Sequence, residues 1–363
     1  MPTRLVPLWF LLIAALVRAE DKAPAAYPPP AEVRQAFRKL LERPRVEPAP
    51  ESKAESREGR IEEVGSFRSE QTERVPFLAV RRADAAGRLP VVVALHGTGG
   101  NKEQQLPLLR RLADRGYLAV AIDAGYHGAR VPGGATKAEQ YNQAVIRAWR
   151  TRSGDKHEHP FWYDTAFDLW RLTDYLQSRP DVDPERIGMI GFSMGGIQIW
   201  LAASVDERVK VAVPAIAAQS MKWSLENGRW QARANAIKKA HEAAAADLGE
   251  PAVNERVCRE LWAKILPGVL HEFDCPSMIR LFAPRPLLLL NGEKDPNCPL
   301  PGAEIAFREA RAAYAAAGAG DRLKIPRPPL PGLQPGVGRR YSPFTPGGRL
   351  PAGADTCDRR GTR

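Results

Sequence analysis

Short apolar runs alternating with helix-spaced segments restrict this chain to one layered architecture. Residues 90–95 (Pro-Val-Val-Val-Ala-Leu) and 117–122 (Tyr-Leu-Ala-Val-Ala-Ile) carry no charge, as expected of strands covered on both faces. Between them, residues 104–116 read as a helix ending in Gly116. Residues 161–179 form a longer helix with Leu169, Leu172 and Leu176 along it. The spacing then predicts a strand over 186–191, a helix over 195–204, and strands over 209–213 and 286–290. Residues 61–67 and 74–81 precede the alternation as an antiparallel pair. The pattern predicts an α/β fold: a doubly wound, mostly parallel sheet with helical insertions and an irregular C-terminal tail. The insertions, 126–160 and 219–276, leave strand ends where ligands enter such sheets, so they are expected to form lids and pocket walls.

Gly191-Phe192-Ser193-Met194-Gly195-Gly196 fits Gly-x-Ser-x-Gly and sits between an expected strand and an expected helix. That is the setting of a nucleophile on a sharp turn, where Gly191 and Gly195 avoid clashes. His96-Gly97-Thr98-Gly99-Gly100 follows the first buried strand. There Gly97 leaves room for backbone N–H groups to meet a carbonyl oxygen, and the amides of Thr98 and Met194 are the expected oxyanion donors. His96 is expected to tie the loop down rather than to act on a proton. Phe161, Trp162 and Tyr163 are read either as a pocket wall or as core. Asp164 and Asp168 are expected to cap and solvate their helix, and Asp123 and His127 to serve structure.

These segments, with residues 181–188 and 287–296, resemble the α/β-hydrolase superfamily from about residue 73 to 324. The resemblance is to the dienelactone hydrolase, acetyl xylan esterase and prolyl-oligopeptidase-like branch. It implies a serine esterase acting on small or carbohydrate-linked esters, without metal or organic cofactor. In that branch the acid lies in an Asn-Gly-x-x-Asp setting, which here is Asn291-Gly292-Glu293-Lys294-Asp295. Asp295 therefore takes the acid's place.

The family order is serine, acid, histidine, and here the sequence departs from it. The six histidines (His96, His127, His157, His159, His241, His271) all precede Asp295. The tail, 325–363, holds eight prolines, seven glycines and seven arginines, a composition that forbids a long helix. Arg339 stands where Pro-Gly-x-Gly-His would place the base. A frame-shifted 3′ end, a non-catalytic relative that binds an ester or glycan, and a base borrowed from elsewhere, such as His271, are the three readings.

The N-terminus reads as an export signal over 1–19. Arg4 is followed by an apolar stretch over 5–17, and Val17-Arg18-Ala19 offers cleavage before Glu20. That stretch falls short of the roughly 20 residues a membrane span needs. A secreted or periplasmic protein without stable membrane insertion is expected. Residues 20–60 read as a linker and arm, with helical spacing over 32–41, and 61–324 as the hydrolase domain. Cys258, Cys275, Cys298 and Cys357 match no metal-site spacing, and one bridge among the first three is open. The net charge of +11 owes much to the tail, where seven arginines face two aspartates. No basic stripe suggests a nucleic-acid partner, and oligomeric state is not legible.

Overall fold

A computed structural model describes residues 27–131, 137–152 and 159–326. The expected export signal, the tail from residue 327, His157 and Cys357 lie outside the described residues.

In chain order the helices are α1 Pro30–Leu40, α2 Leu106–Ala113, α3 Lys137–Arg150, α4 Tyr163–Ser178, α5 Met194–Val205, α6 Met221–Glu226, α7 Gln231–Ala236, α8 Lys238–Asp247, α9 Glu255–Ile265, α10 Cys275–Ile279 and α11 Leu300–Ala316. The strands are β1 Glu51–Arg57, β2 Arg60–Arg68, β3 Arg74–Arg82, β4 Leu89–Leu95, β5 Leu118–Ile122, β6 Val182–Phe192, β7 Val209–Ala215, β8 Leu287–Leu288 and β9 Leu323–Lys324. They form one sheet in the order β1-β2-β3-β5-β4-β6-β7-β8-β9. β1 to β3 are antiparallel to their neighbours, and β4 to β9 run parallel. This is the mostly parallel α/β sheet that the alternation predicts.

Helices cover both faces. α2 packs Leu109 and Leu112 against Val92, Ala94 and Leu78. On the other face α5 is buried along its whole length between the sheet and α1, α4 and α10. That environment explains why its sequence has no polar side.

Two stretches differ from expectation. Residues 51–57, read as part of an arm, form an edge strand paired to β2 from Glu51↔Ser66 to Arg57↔Arg60. Its side chains are all exposed, so burial left no alternation to read. The turn does the specifying: Glu58 and Gly59 both have positive φ, 48° and 72°, as a two-residue hairpin of type I′ requires. The helix-forming run over 232–246 is broken at Ile237 (φ −134°, ψ 52°) into α7 and α8.

The two insertions pack on each other. α3 lies against α8 and α9, Asn142 Oδ1 accepts from Ala240 N (3.0 Å), and Arg150 Nε donates to Asp247 Oδ2 at 2.8 Å. No helix of the described residues is long and apolar enough to cross a membrane.

The bridge left open among the first three cysteines does not form. Cys258, Cys275 and Cys298 are separate free thiols in the core, and burial pushes Cys258 and Cys298 up to about 12.

Candidate active site

Ser193 is the single residue between β6 and α5, and its backbone stands at φ 52°, ψ −117°. A side-chain-bearing residue seldom occupies that region, so the surroundings must hold it there. Its N–H donates to Ala215 O at the end of β7 (2.9 Å), and its carbonyl accepts from Ile197 N (3.0 Å). A Cβ on Gly191 would stand 2.6 Å from the Gly195 carbonyl carbon, and one on Gly195 2.7 Å from the Leu95 and His96 oxygens. A side chain at either position would therefore force the turn to shift. The amide of Met194 opens α5, where helix N–H groups have no acceptor within the helix.

The loop after β4 touches this turn. A Cβ on Gly97 would lie 3.7 Å from that of Ser193 and 3.5 Å from Phe192 O. Thr98, beside it, is exposed. His96 is buried, and its Nε2 accepts from Ala124 N at 3.2 Å. The ring proton is thereby placed on Nδ1, which donates to Gly97 O at 2.8 Å. The imidazole braces the β4 loop against the β5 loop. Lys102 and Asp123 repeat that brace as a buried ion pair, Nζ to Oδ2 at 2.8 Å.

Asp295 is half-buried in the loop that follows β8. Its Oδ1 accepts from Asn297 N (2.8 Å) and Cys298 N (3.3 Å). Among the described residues Oδ2 accepts no hydrogen bond, which leaves one oxygen for a partner. The loop is tied to the serine turn through the end of β7. Ile216 N donates to Leu290 O (2.5 Å), and Cys298 Sγ donates to Ile216 O (3.1 Å). Ala215, which holds Ser193, and Ile216, which holds the Asp295 loop, are adjacent. Three loops therefore meet at the carboxyl ends of β4, β6 and β7.

Among the described residues no histidine hydrogen-bonds Ser193 or Asp295. His127 Nδ1 pairs with Gly125 O at 2.8 Å, and buried His159 packs edge-on to Tyr163. His271 is exposed. His241, on α8, is fully buried: Trp262 Nε1 donates to its Nε2 (2.9 Å), and its Nδ1 faces Ile237 O (3.1 Å). Burial pulls its pKa down to about 4.

A histidine depressed from about 6.5 contributes stability that is present above 6.5 and lost as pH falls toward 4. In thermal denaturation, wild type is expected to lose about 2 kcal/mol from this group between pH 7 and 5. A His241→Gln variant, less stable at pH 7, should show that loss removed. Buried Asp274 works in the opposite direction, because burial raises its pKa to about 6. The comparison with the variant isolates the histidine.

Phe161, Trp162 and Tyr163 are all buried and stack into the core, which decides between the two roles open for them. Asp164 and Asp168 do not merely cap α4. Asp164 pairs with Arg43, and Asp168, almost fully buried, with Arg130 at 2.5 Å. No sequence signal marked either arginine, since Arg43 lies 121 residues from Asp164 and Arg130 38 residues from Asp168.

Residues 77–250 match the dienelactone hydrolase family. Bacillus subtilis (strain 168) YtaP, named as a hydrolase, is 27% identical over 286 residues, covering 75% of this chain and 83% of YtaP. Acetyl xylan esterase 1 of Thermoanaerobacterium sp. JW/SL YS485 superposes with a TM-score of 0.57 at 18% identity, covering 78% of this chain and 85% of that one. A Bacteroides fragilis NCTC 9343 structure, also named as an acetyl xylan esterase, gives a TM-score of 0.60 at 19% identity, covering 82% and 74%.

Proposed function

We propose that this chain, whose residues 77–250 match the dienelactone hydrolase family and whose fold is similar to that of acetyl xylan esterases, is an exported serine esterase acting on small or carbohydrate-linked carboxylic esters. The observation that carries this reading is Ser193, held at positive φ between β6 and α5 with the Gly97 and Asp295 loops brought to the same strand ends. Ser193 Oγ attacks the ester carbonyl carbon while a base takes its proton. The amides of Thr98 and Met194 receive the oxyanion, each worth on the order of 3 kcal/mol in the transition state. The alkoxide leaves with a proton, and water then releases the acyl group from Ser193. Asp295 Oδ2 is the oxygen free to orient an imidazole. The choice of a carbohydrate ester rests on the acetyl xylan esterases among the structural neighbours.

A second reading, a non-catalytic protein that binds an ester or glycan, is favoured by the histidines. None follows Asp295 in the sequence. His96 and His241 spend both ring nitrogens on bonds that hold the fold.

Hydrolysis of p-nitrophenyl acetate and longer acyl esters by residues 20–363, beside Ser193→Ala, decides between them. Turnover lost in the variant supports the esterase and locates a base outside the usual order. Folded wild type no faster than the variant overturns it in favour of the binding protein.

A further inference from the structure

Arg233, on α7 in the second insertion, is a buried guanidinium at 9% exposure. Among the described residues it forms no ion pair with a carboxylate, and its Nε has no hydrogen-bond partner. An arginine keeps its proton, and a buried charge without a counter-charge is unfavourable. Such a residue is a poor choice for stability alone.

What it does touch is the loop of Asp295. Nη2 donates to Asn297 O at 2.6 Å and reaches Cys298 Sγ at 3.8 Å. The same carbonyl accepts from Gln219 Nε2 at 2.8 Å, and Gln219 Oε1 is fixed in turn by Ser224 Oγ at 2.7 Å. Asn297 is thus clamped through its carbonyl while its N–H holds Asp295 Oδ1. On its other side the guanidinium lies 5.6 Å from the Trp162 ring. Trp162 stacks on Phe161 at 4.1 Å. Phe161 stacks on Tyr141, whose hydroxyl reaches Met194 Sδ at 4.0 Å. A packed path therefore runs from the Asp295 loop, through both insertions, to the residue after Ser193.

We infer that Arg233 is a positioning residue: it fixes the Asp295 loop from the second insertion and makes that insertion part of the catalytic frame. The inference rests on the esterase reading of Asp295. Losing a charged donor to the Asn297 carbonyl should loosen the loop roughly tenfold or more.

Arg233→Met separates positioning from simple support. Removing an unpaired buried charge for an apolar side chain of similar length is expected to leave Tm unchanged or higher. At the same time Cys298, but not Cys258 or Cys275, should react with Ellman's reagent about tenfold faster in the native protein. Hydrogen exchange at the Asn297 and Cys298 amides should rise alike. Ser193-dependent kcat should fall about tenfold with KM within twofold, and Arg233→Lys, which keeps charge without the planar fork, should recover only part of it. A lower Tm with all three thiols exposed together would mean mere structural support and overturn the inference. So would Cys298 labelling and loop exchange like wild type. Wild type without Ser193-dependent turnover would defeat the esterase reading, while labelling and exchange would still decide what Arg233 holds.

Discussion

Asp123→Ala is expected to destabilise the protein by about 3–5 kcal/mol, the range for removing one partner of a buried ion pair. Asp123 is fully buried at the end of β5, and Lys102 is almost as deep. Its Oδ1 accepts from Lys102 N (2.8 Å), and its Oδ2 accepts from Lys102 Nζ (2.8 Å) and Ala129 N (2.9 Å). Burial alone would lower the Lys102 pKa, but hydrogen bonds to Asp123 and Glu103 outweigh it and hold it above its usual value. Deleting the carboxylate leaves the ammonium to burial, with one exposed glutamate as partner. It also leaves two backbone N–H groups unpaired. Asp123→Asn keeps the shape and loses only charge, so it should cost about half as much. In thermal melts the alanine variant should fall by about 10 °C. Because this pair ties the Gly97 loop to the β5 loop, any Ser193-dependent activity should drop well below the midpoint temperature too. A loss under 1 kcal/mol would mean that the pair is not the brace it appears in the fold.

The parts of this architecture that the sequence reveals are those where one local rule decides. β4 and β5 are legible because a strand buried on both faces has only apolar residues to offer. The Ser193 turn is legible because Gly191 and Gly195 stand where the chain allows nothing larger. β1 is not legible: Glu51 to Arg57 expose every side chain, and its place is set by a hairpin turn and backbone pairing. The break at Ile237 is hidden inside an alanine-rich run whose propensity favours one helix. Packing of α8 on α3 overrides that preference.

The site divides in the same way. Ser193 and Gly97 lie in motifs whose residue types and spacing announce them, whereas Asp295 is marked only by the family resemblance of its Asn-Gly-x-x-Asp setting. Arg233, Gln219 and Lys102 lie in no motif, and each matters through a partner far along the chain: Asn297 for the first two and Asp123 for the third. Long-range polar contacts leave no periodicity to read. The fate of the histidines was only half legible. Their order against Asp295 is a sequence fact, whereas the sealing of His241 under Trp262 depends on how two insertion helices meet.

Gly195→Val is expected to cost more than 4 kcal/mol and to yield little folded protein. A Cβ at this position would lie 2.7 Å from the backbone oxygens of Leu95 and His96 and 2.8 Å from Leu95 Cβ. Those atoms belong to the end of β4, which is hydrogen-bonded to β5 on one side and β6 on the other, so the strand cannot retreat. α5 cannot rise either, because Gly196 already approaches Ala217 on its far side, where a Cβ would stand 2.6 Å from that of Ala217. Overpacking a rigid site by one carbon costs about 1–3 kcal/mol, which is the expectation for Gly195→Ala. Valine adds two methyl groups on a stiff branch. Even the alanine variant should lose Ser193-dependent turnover out of proportion to its stability, since relief of the clash distorts the turn that holds Ser193. Gly320→Ala is the matched control. Nothing lies within 4 Å of its Cβ position, so it should be neutral or stabilising by a few tenths of a kcal/mol. Urea denaturation of the three variants reads the series directly. A valine variant within 1 kcal/mol of wild type would mean that the turn is wider than drawn, and the orientation assigned to Ser193 would fall with it.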